Sequence, residues 1–521
     1  MESPPPRTGR SAALVAFGIS CSRLTGLVRQ RVFAHYFGMQ SDAADAFMAA
    51  FRIPNALQNL FGEGALSASF IPVYATLLAR GEPREAGRVA GAIGALLSLV
   101  TAILVLLGVL LTPALIAVIA PGFTGAKRDL TISVVRVLFP GAGMLVLSAW
   151  CLGILNSHRR FLLSYTAPVI WNLAMITTLV AWGARAPLPE LAVILAWGSV
   201  AGSALQFVVQ LPAVFRLVPD LRLRLDITDH VRTTMRNFVP AFVGRGVVQI
   251  SAYIDALLAS LLPTGAVTGL ANAQLLYTLP VSLFGMSISA AELPEMSGEA
   301  GLDAVDRLRD RLNKGLHQIA FFVVPSAVAF FALGDVIAAA LLETGRFTHE
   351  DAVYVWAILA GSAVGLLAST LGRLYSSTYY AFRDTRTPLR YAIIRVVLTT
   401  VLGYLCAIVL PPRLGIEPLW GTAGLTASAG AAGWIEFLLL RRTMNQRLGP
   451  TGLPFALTSR LWAAALAGAG VGWALKISLP ITQPIVVATL ILVPYGLVYL
   501  GLSMWLGIPE ARGLLARAKR F

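Results

Sequence analysis

Apolar runs of about twenty residues recur along the chain, separated by short clusters of Gly, Pro, Asp and Arg. Each run is long enough to cross about 30 Å of hydrocarbon as a helix. By residue number they lie at 11–36, 45–78, 88–118, 130–155, 161–183, 189–214, 234–261, 264–292, 316–342, 352–381, 388–410, 418–440, 456–478 and 483–506. The second is expected to break near Pro54. The pattern predicts an all-α polytopic membrane protein with about fourteen transmembrane helices.

A short motif recurs inside this pattern. The second run holds "RIPNALQNLFGEGALSASFIP" from Arg52 to Pro72, and the eighth holds "YTLPVSLFGMSISAAELP" from Tyr277 to Pro294. Each has a Pro, then "LFG", then small residues and a closing Pro. The two runs are six apart, an even number, so both copies point the same way. That predicts two six-helix lobes related by a pseudo-two-fold axis along the membrane normal, with a cavity between them and two helices added at the C-terminus. The expected division is 1–220, 221–445 and 446–521.

Composition supports lipid as the solvent. Only 13% of residues are charged and 57% are hydrophobic, with a mean hydropathy of +0.73, whereas soluble domains carry about 25% charged residues. Arg7 and Arg10 before "SAALVAFGIS" imitate a signal peptide, but the pattern runs straight on into further helices, so a retained first helix is expected. The cysteines Cys21, Cys151 and Cys406 fall far apart in apolar runs and read as small hydrophobes, with no disulfide or metal site expected.

The net charge of +15 raises the question of nucleic acid. Its distribution answers it. With the N-terminus inside, the cytoplasmic segments hold 26 Lys and Arg and the opposite loops hold 6, namely Lys127, Arg128, Arg185, Arg346, Arg413 and Lys476. Positive-inside bias accounts for the excess, both termini are expected in the cytoplasm, and no basic, aromatic-interleaved patch remains for nucleic acid.

Charges inside the runs need a separate reason, because arginine near the bilayer centre costs at least about 2.5–3.5 kcal/mol. The first two runs contain Arg23, Arg29, Arg31, Asp45, Arg52 and Glu63. On a helix Arg23 and Arg29 lie about 120° apart, close enough for long side chains to converge on one watery cavity. Outer headgroups are the competing destination, above all for Arg31. Pro54 removes a backbone donor in mid-run and is a candidate hinge. The seventh run holds Arg245, between Gly244 and Gly246, and Asp255. These two are about 15 Å apart along a helix and cannot pair with each other, so each needs another partner, a ligand or an ion. Arg395 and Arg460 sit near helix ends and read as structural, and Glu436 is expected to snorkel or meet Arg441 or Arg442. Catalysis is not expected. The chain has no Walker loop, zinc spacing or nucleophile elbow, and none of its five histidines pairs with a nearby Cys or acid at metal spacing.

At this point the residues resemble a known family. "SRLTGLVRQRVFAHYFG" (22–38), "DAFMAAFRIPN" (45–55) and "LFGEGALSASFIPVYA" (60–75) are similar to the start of the MurJ (MviN) lipid II flippases. The likeness continues through "APGF" (120–123), "LGILNSHRRF" (152–161), "QLPAVFRL" (210–217), "GRFTHEDA" (345–352) and "YYAFRDTRTP" (379–388). The resemblance implies the fold of the multidrug/oligosaccharidyl-lipid/polysaccharide exporter superfamily. It implies export of the undecaprenyl-diphosphate-linked peptidoglycan precursor across the bacterial inner membrane, without catalysis. It places the family's cavity arginines on Arg23 and Arg29, its acid on Asp45, its Pro-Asn pair on Pro54 and Asn55, and its glutamate on Glu63. Two family arginines are replaced, by Gln58 and Leu275. Arg245 is expected to supply some of the missing charge, with Arg52 nearby in sequence to the Pro-Asn pair.

The expected partners are lipid II or a similar polyprenyl-diphosphate glycolipid, membrane lipids and cell-wall synthesis proteins, around a monomeric carrier. No cofactor is expected. Coupling would come from the membrane potential or from a monovalent cation, for which Asp255 is the candidate ion site. The alternatives are a flippase for another polyprenyl-linked saccharide, a cation-driven drug exporter, disfavoured by the cationic cavity, and a non-transporting cell-wall scaffold that kept the fold.

Overall fold

The computed structural model describes residues 8–219, 221–289, 292, 296, 304–382, 384–478, 480 and 482–518, with the side chains of 8–16, 62–64, 241, 243–252, 304 and 514–518 left aside. The described residues are helical with short turns between, and they fall into two compact units that divide at Ser260 and Leu261.

The first unit contains α1 (Thr8–Phe37), α2 (Asp42–Gln58), a π-helical stretch Asn59–Leu66, α3 (Ser67–Ala79), α4 (Pro83–Leu110), the short α5 (Thr112–Ile119), α6 (Gly125–Ser157), α7 (Phe161–Trp182), α8 (Leu188–Val208), α9 (Leu211–Leu217) and α10 (Asp229–Ser260). Ser41 starts α2 in extended conformation, with its Oγ accepting from Ala44 N at 3.1 Å. Asp42 and Asp45 in the first turn complement the positive end of the helix. α1 packs on α7, and α2 packs on α6. α10 lies against the π-helical stretch and α3, so packing groups it with the first unit, whereas the sequence division at 220/221 follows the repeat.

The second unit begins with α11 (Ala266–Pro280), which passes into a π-helical stretch Val281–Met286. The helices Ala304–Leu342, His349–Ala381, Arg386–Tyr404, Gly421–Leu448, Phe455–Ser478 and Pro484–Trp505 follow. Thr348 and Asp351 form a reciprocal capping box at the start of His349–Ala381, which is what "FTHED" encodes. Helices His349–Ala381 and Gly421–Leu448 meet at Gly365 and Gly430, where a Cβ on Gly365 would lie 2.4 Å from Gly430 Cα. The last two long helices pack on Ala304–Leu342. Pro325 in that helix has no N–H for the Phe321 carbonyl, and the Tyr499 hydroxyl donates to that carbonyl instead, at 2.5 Å.

Among the described residues, ten helices are long and apolar enough to cross a membrane. With α1, the segmented α2–α3, α10 and α11 this gives about fourteen crossings, in agreement with the hydropathy pattern. The expected break at Pro54 is displaced. α2 runs through Pro54, which is buried, and continues to Gln58 before the backbone widens into π-helix. The same holds for α11, which ends on Pro280. Both copies of "LFG" therefore lie in π-helical turns, which begin five residues after Pro54 and directly after Pro280. Such turns swap i→i+4 for i→i+5 hydrogen bonds and cluster at functional positions. The repeat seen in sequence is a repeat in backbone geometry.

Candidate functional site

The site is built on α1, α2 and α7 of the first unit. Arg29 projects from α1 towards α7, and its Nη1 donates to Asn172 Oδ1 at 3.1 Å. Asn172 Nδ2 donates to the Pro168 carbonyl one turn back, at 3.1 Å, which fixes the amide so that its oxygen faces the guanidinium. The guanidinium carbon lies 4.8 Å from the centroid of Phe51 and 5.8 Å from that of Trp171, and the two rings stack on each other at 5.4 Å. Trp171 is held by its own indole N–H, which donates to the Ser199 carbonyl and hydroxyl. A small pocket opens beside Arg29, walled by Phe33, Phe47, Phe51 and Met175, with Gln30 as its other polar lining residue. An arginine on aromatic faces keeps its charge in an apolar setting and still presents a planar fork to an anion.

Arg23, six residues earlier on α1, is exposed. Asn55 and Gln58 are half-buried on α2. Leu275 is half-buried on α11 of the second unit. The side chains of Glu63 and Arg245 lie outside the described residues, so neither the "EGA" carboxylate nor the expected second-lobe cation enters the site geometry.

Asp45 lies in the first turn of α2. It is 1% exposed, and its Oδ2 accepts from Lys127 Nζ at 2.8 Å. Lys127 also reaches Asp42 at 3.3 Å and sits 4.4 Å from the Phe123 ring centroid. The pair forms because α2 and α6 pack together, with both residues in first turns.

Arg52 is reached from α10: the Tyr253 hydroxyl donates to the Arg52 carbonyl at 3.3 Å, and the Asp255 carboxylate, two residues on, acts attractively on the Arg52 charge.

In the second unit Glu436 pairs with Arg395, Oε2 to Nη1 at 3.1 Å, in place of Arg441 or Arg442. Residues five and six apart lie about 140° and 120° from each other around a helix, so Glu436 faces away from both. Arg441 instead donates to the Thr451 carbonyl, and Arg460 to that of Leu506.

Two residues of the site were missed by sequence reasoning. Lys127 was counted only as a loop charge. Asn172 is a lone amide in the apolar run "APVIWNLAM", and a polar residue at membrane depth is itself the signal that marks it.

Comparison with known proteins agrees with this architecture. The profile of the family described as "Lipid II flippase MurJ" matches residues 33–500. A lipid II flippase MurJ of Burkholderia cenocepacia is 31% identical over 434 residues, covering 82% of this chain and 81% of that one. A probable lipid II flippase MurJ of Rhizobium tropici is 32% identical over 437 residues, covering 82% and 79%. Among solved structures, a lipid II flippase MurJ in an inward closed conformation superposes with a TM-score of 0.78 at 23% identity, over 95% of this chain and 98% of that chain. An inward-facing multidrug transporter of the MATE family and MOP superfamily superposes with a TM-score of 0.67 at 17% identity, over 82% and 95%. The structural likenesses speak for the fold, and the profile and sequence relatives for the family: the chain belongs to the lipid II flippases of the MurJ family.

Proposed function

We propose that this protein carries lipid II from the cytoplasmic to the outer leaflet of the bacterial inner membrane, by alternating access to a cationic cavity in which Arg29 receives the diphosphate. The observation that carries the reading is the Arg29 guanidinium held between Asn172 and the Phe51–Trp171 stack at membrane depth. A neutral amide orients the fork without cancelling its charge, so the arginine stays available to phosphate oxygens. A carboxylate in the same place would compete with the ligand.

Arg23, exposed on the same helix, meets the headgroup first, and Arg52 and Asn55 hold it further along α2. Asp255 acts as the counter-charge of Arg52. It lowers the cost of keeping that arginine in the membrane and of resetting the empty carrier, which makes a bound cation unnecessary there. The π-helical stretch after Pro54 is where α2 and α3 change their relative angle as access alternates. Export of a diphosphate from a negative interior gains about 2.3 kcal/mol per charge per 100 mV, roughly 4–5 kcal/mol for two charges. The 26-to-6 bias of basic residues supports both termini in the cytoplasm. The carrier works as a monomer.

The test is complementation of a strain depleted of its own flippase, read by labelling precursor at the outer face. The wild-type chain is expected to restore labelling and Arg29→Ala to abolish it at equal expression. Failure of the wild-type chain to restore labelling, or full activity of Arg29→Ala, would overturn the proposal.

A further inference from the structure

The turn that joins α6 to α7 breaks two local rules at once. α6 ends in a Schellman motif: Arg159 N donates to the Asn156 carbonyl at 3.0 Å, and Arg160 N to that of Leu155 at 2.8 Å. The motif puts the first residue past the helix in the left-handed region, where an L side chain crowds the backbone and glycine does not. The same pair of bonds ends α3 at Gly81 and helix Pro484–Trp505 at Gly507, with φ of 75° and 73°. In the α6–α7 turn the position is held by Arg159, with φ of 59°, the one non-glycine residue of positive φ among the described residues. A cation at the end of α6 suits that helix, but it would do so equally from position 157 or 158, without left-handed backbone. Arg160, next in line, is the N-cap of α7 and makes no side-chain cap. Ser, Thr, Asp and Asn are preferred there, and the positive end of the helix disfavours a cation.

The turn is held so that the strain cannot relax. His158 Nε2 is bonded to the Tyr74 hydroxyl at 2.9 Å, and Tyr74, on α3, is fully buried. Strained residues persist where their surroundings fix them, and they cluster at functional positions. The outcome is a pair of adjacent guanidinium groups on a rigid turn. Both arginines are exposed, and neither forms an ion pair or a side-chain hydrogen bond among the described residues.

Register links this turn to Arg29. Asn172, which bonds Arg29, lies twelve residues beyond Arg160, about 18 Å along α7. α1 runs beside α7 in the same direction. A Cβ on Gly18 would lie 2.6 Å from Tyr165 Cβ, and one on Gly183 would lie 2.4 Å from Tyr36 Cδ1, eighteen residues further on along both helices. In that register Arg23 is level with Ile170, between Arg160 and Arg29. Cations thus stand at three successive levels along one pair of helices.

We infer that Arg159 and Arg160 receive the diphosphate of the lipid substrate at the cytoplasmic mouth, ahead of the cavity in which Arg23 and Arg29 follow. The inference rests on the transport reading above. A diphosphate offers oxygens to both forks. With no carboxylate to displace, the contact forms and breaks without disrupting an internal ion pair. The headgroup of an acidic phospholipid is the competing ligand.

The full chain is reconstituted in dioleoylphosphatidylcholine vesicles holding lipid II at graded mole fractions, and precursor that reaches the opposite leaflet is labelled. Thermal unfolding in detergent is read in parallel. Arg159→Gly is expected to melt at or above the wild type, since the strain is gone. It is also expected to need about tenfold more lipid II for half-maximal transport, the loss of one charge-assisted contact. Its maximal rate is expected to hold, because Arg29 is untouched. Arg159→Lys keeps the charge and the strain without the fork, and its half-saturation is expected to fall between the two. Dioleoylphosphatidylglycerol in about tenfold excess over lipid II is expected to leave the wild-type half-saturation unchanged. A turn that serves only the fold or the membrane orientation would leave Arg159→Gly as active as the wild type at every lipid II level, and that result would overturn this inference alone. A lower maximal rate at unchanged half-saturation would also defeat it. So would phosphatidylglycerol that raises the wild-type half-saturation to that of Arg159→Gly, which would assign the arginines to phospholipid. An inactive wild type would remove the transport reading and this inference with it.

Discussion

Arg29 Nη1 lies 3.1 Å from Asn172 Oδ1, and that neutral acceptor decides what the arginine can do. Replacing it with a carboxylate, Asn172→Asp, keeps the size and the acceptor but closes a salt link. A charged partner strengthens a hydrogen bond to about 1.5–3 kcal/mol, so transport is expected to fall about ten- to a hundredfold while thermal stability holds or rises. Asn172→Ala loses the orientation alone and is expected to retain more activity than Asn172→Asp. Outward precursor labelling beside a melting curve separates the cases; an active Asn172→Asp would mean that Arg29 never needs its charge free.

The Asp45–Lys127 pair makes a different prediction, about stability. Asp45 is 1% exposed, so removing its cation strands a buried carboxylate. Lys127→Met is expected to cost about 3–5 kcal/mol. The double variant Lys127→Met with Asp45→Asn is expected to recover most of it, because no buried carboxylate is then stranded and Asp42 is exposed to solvent. Unfolding in detergent reads both, and equal losses in single and double variants would show that Lys127 contributes packing over Phe123 instead.

Which of these features the sequence made legible follows from what kind of signal each leaves. Arg29 stands out because an isolated charge in an apolar run has few explanations. The fourteen crossings and the "LFG" repeat stand out for the same reason, since lipid permits little besides helices. Lys127 was hidden at a helix end, where a basic residue looks like any loop charge. The Arg395–Glu436 pair spans 41 residues, and no local spacing reveals it. The π-helical turns are invisible to composition, because i→i+4 and i→i+5 bonding use the same residues. Pro54 signalled that something changes in α2 but not where, since a helix can pass through a proline and yield a few residues later.

The Arg52–Asp255 interaction bears on coupling. If Asp255 is a counter-charge and holds no cation, Asp255→Asn lowers melting temperature and transport together, and added sodium restores neither. Asp255→Glu is expected to rescue part of both. Transport by the wild-type chain is expected to be the same in sodium and in potassium media of equal potential. A sodium-dependent rate that disappears in Asp255→Asn would return the residue to the role of an ion ligand.

Gly285, the glycine of the second "LFG", tests the packing of its π-helical turn. A Cβ there would lie 2.4 Å from Thr370 Cγ2, and Thr370 is fully buried. Gly285→Ala is expected to cost about 1–3 kcal/mol through overpacking. Adding Thr370→Ser removes the clashing methyl and keeps the hydroxyl that donates to the Leu366 carbonyl, so the double variant is expected to melt above the single one. Additive losses would place the cost in the backbone and not in the clash.

Asp384 gives a prediction in pH. Its carboxylate accepts from the Thr387 and Arg386 backbone N–H groups at 3.0 and 3.1 Å, from the Thr387 hydroxyl at 2.8 Å and from Arg447 at 2.7 Å. The Thr387 backbone bond is the main cause, with the hydroxyl and Arg447 adding to it, and together they hold the pKa down at about 2 against 3.8. A depressed carboxylate stabilises the folded state fully above its unfolded pKa and loses that contribution as pH falls towards the folded one. The loss therefore falls between about pH 4 and pH 2. Asp384→Asn keeps the capping acceptor but not the charge, so it is expected to cost about 1 kcal/mol at neutral pH and nothing relative to wild type near pH 2. Melting curves of the two proteins should converge on acidification. If they stayed parallel, the turn would owe its stability to shape alone.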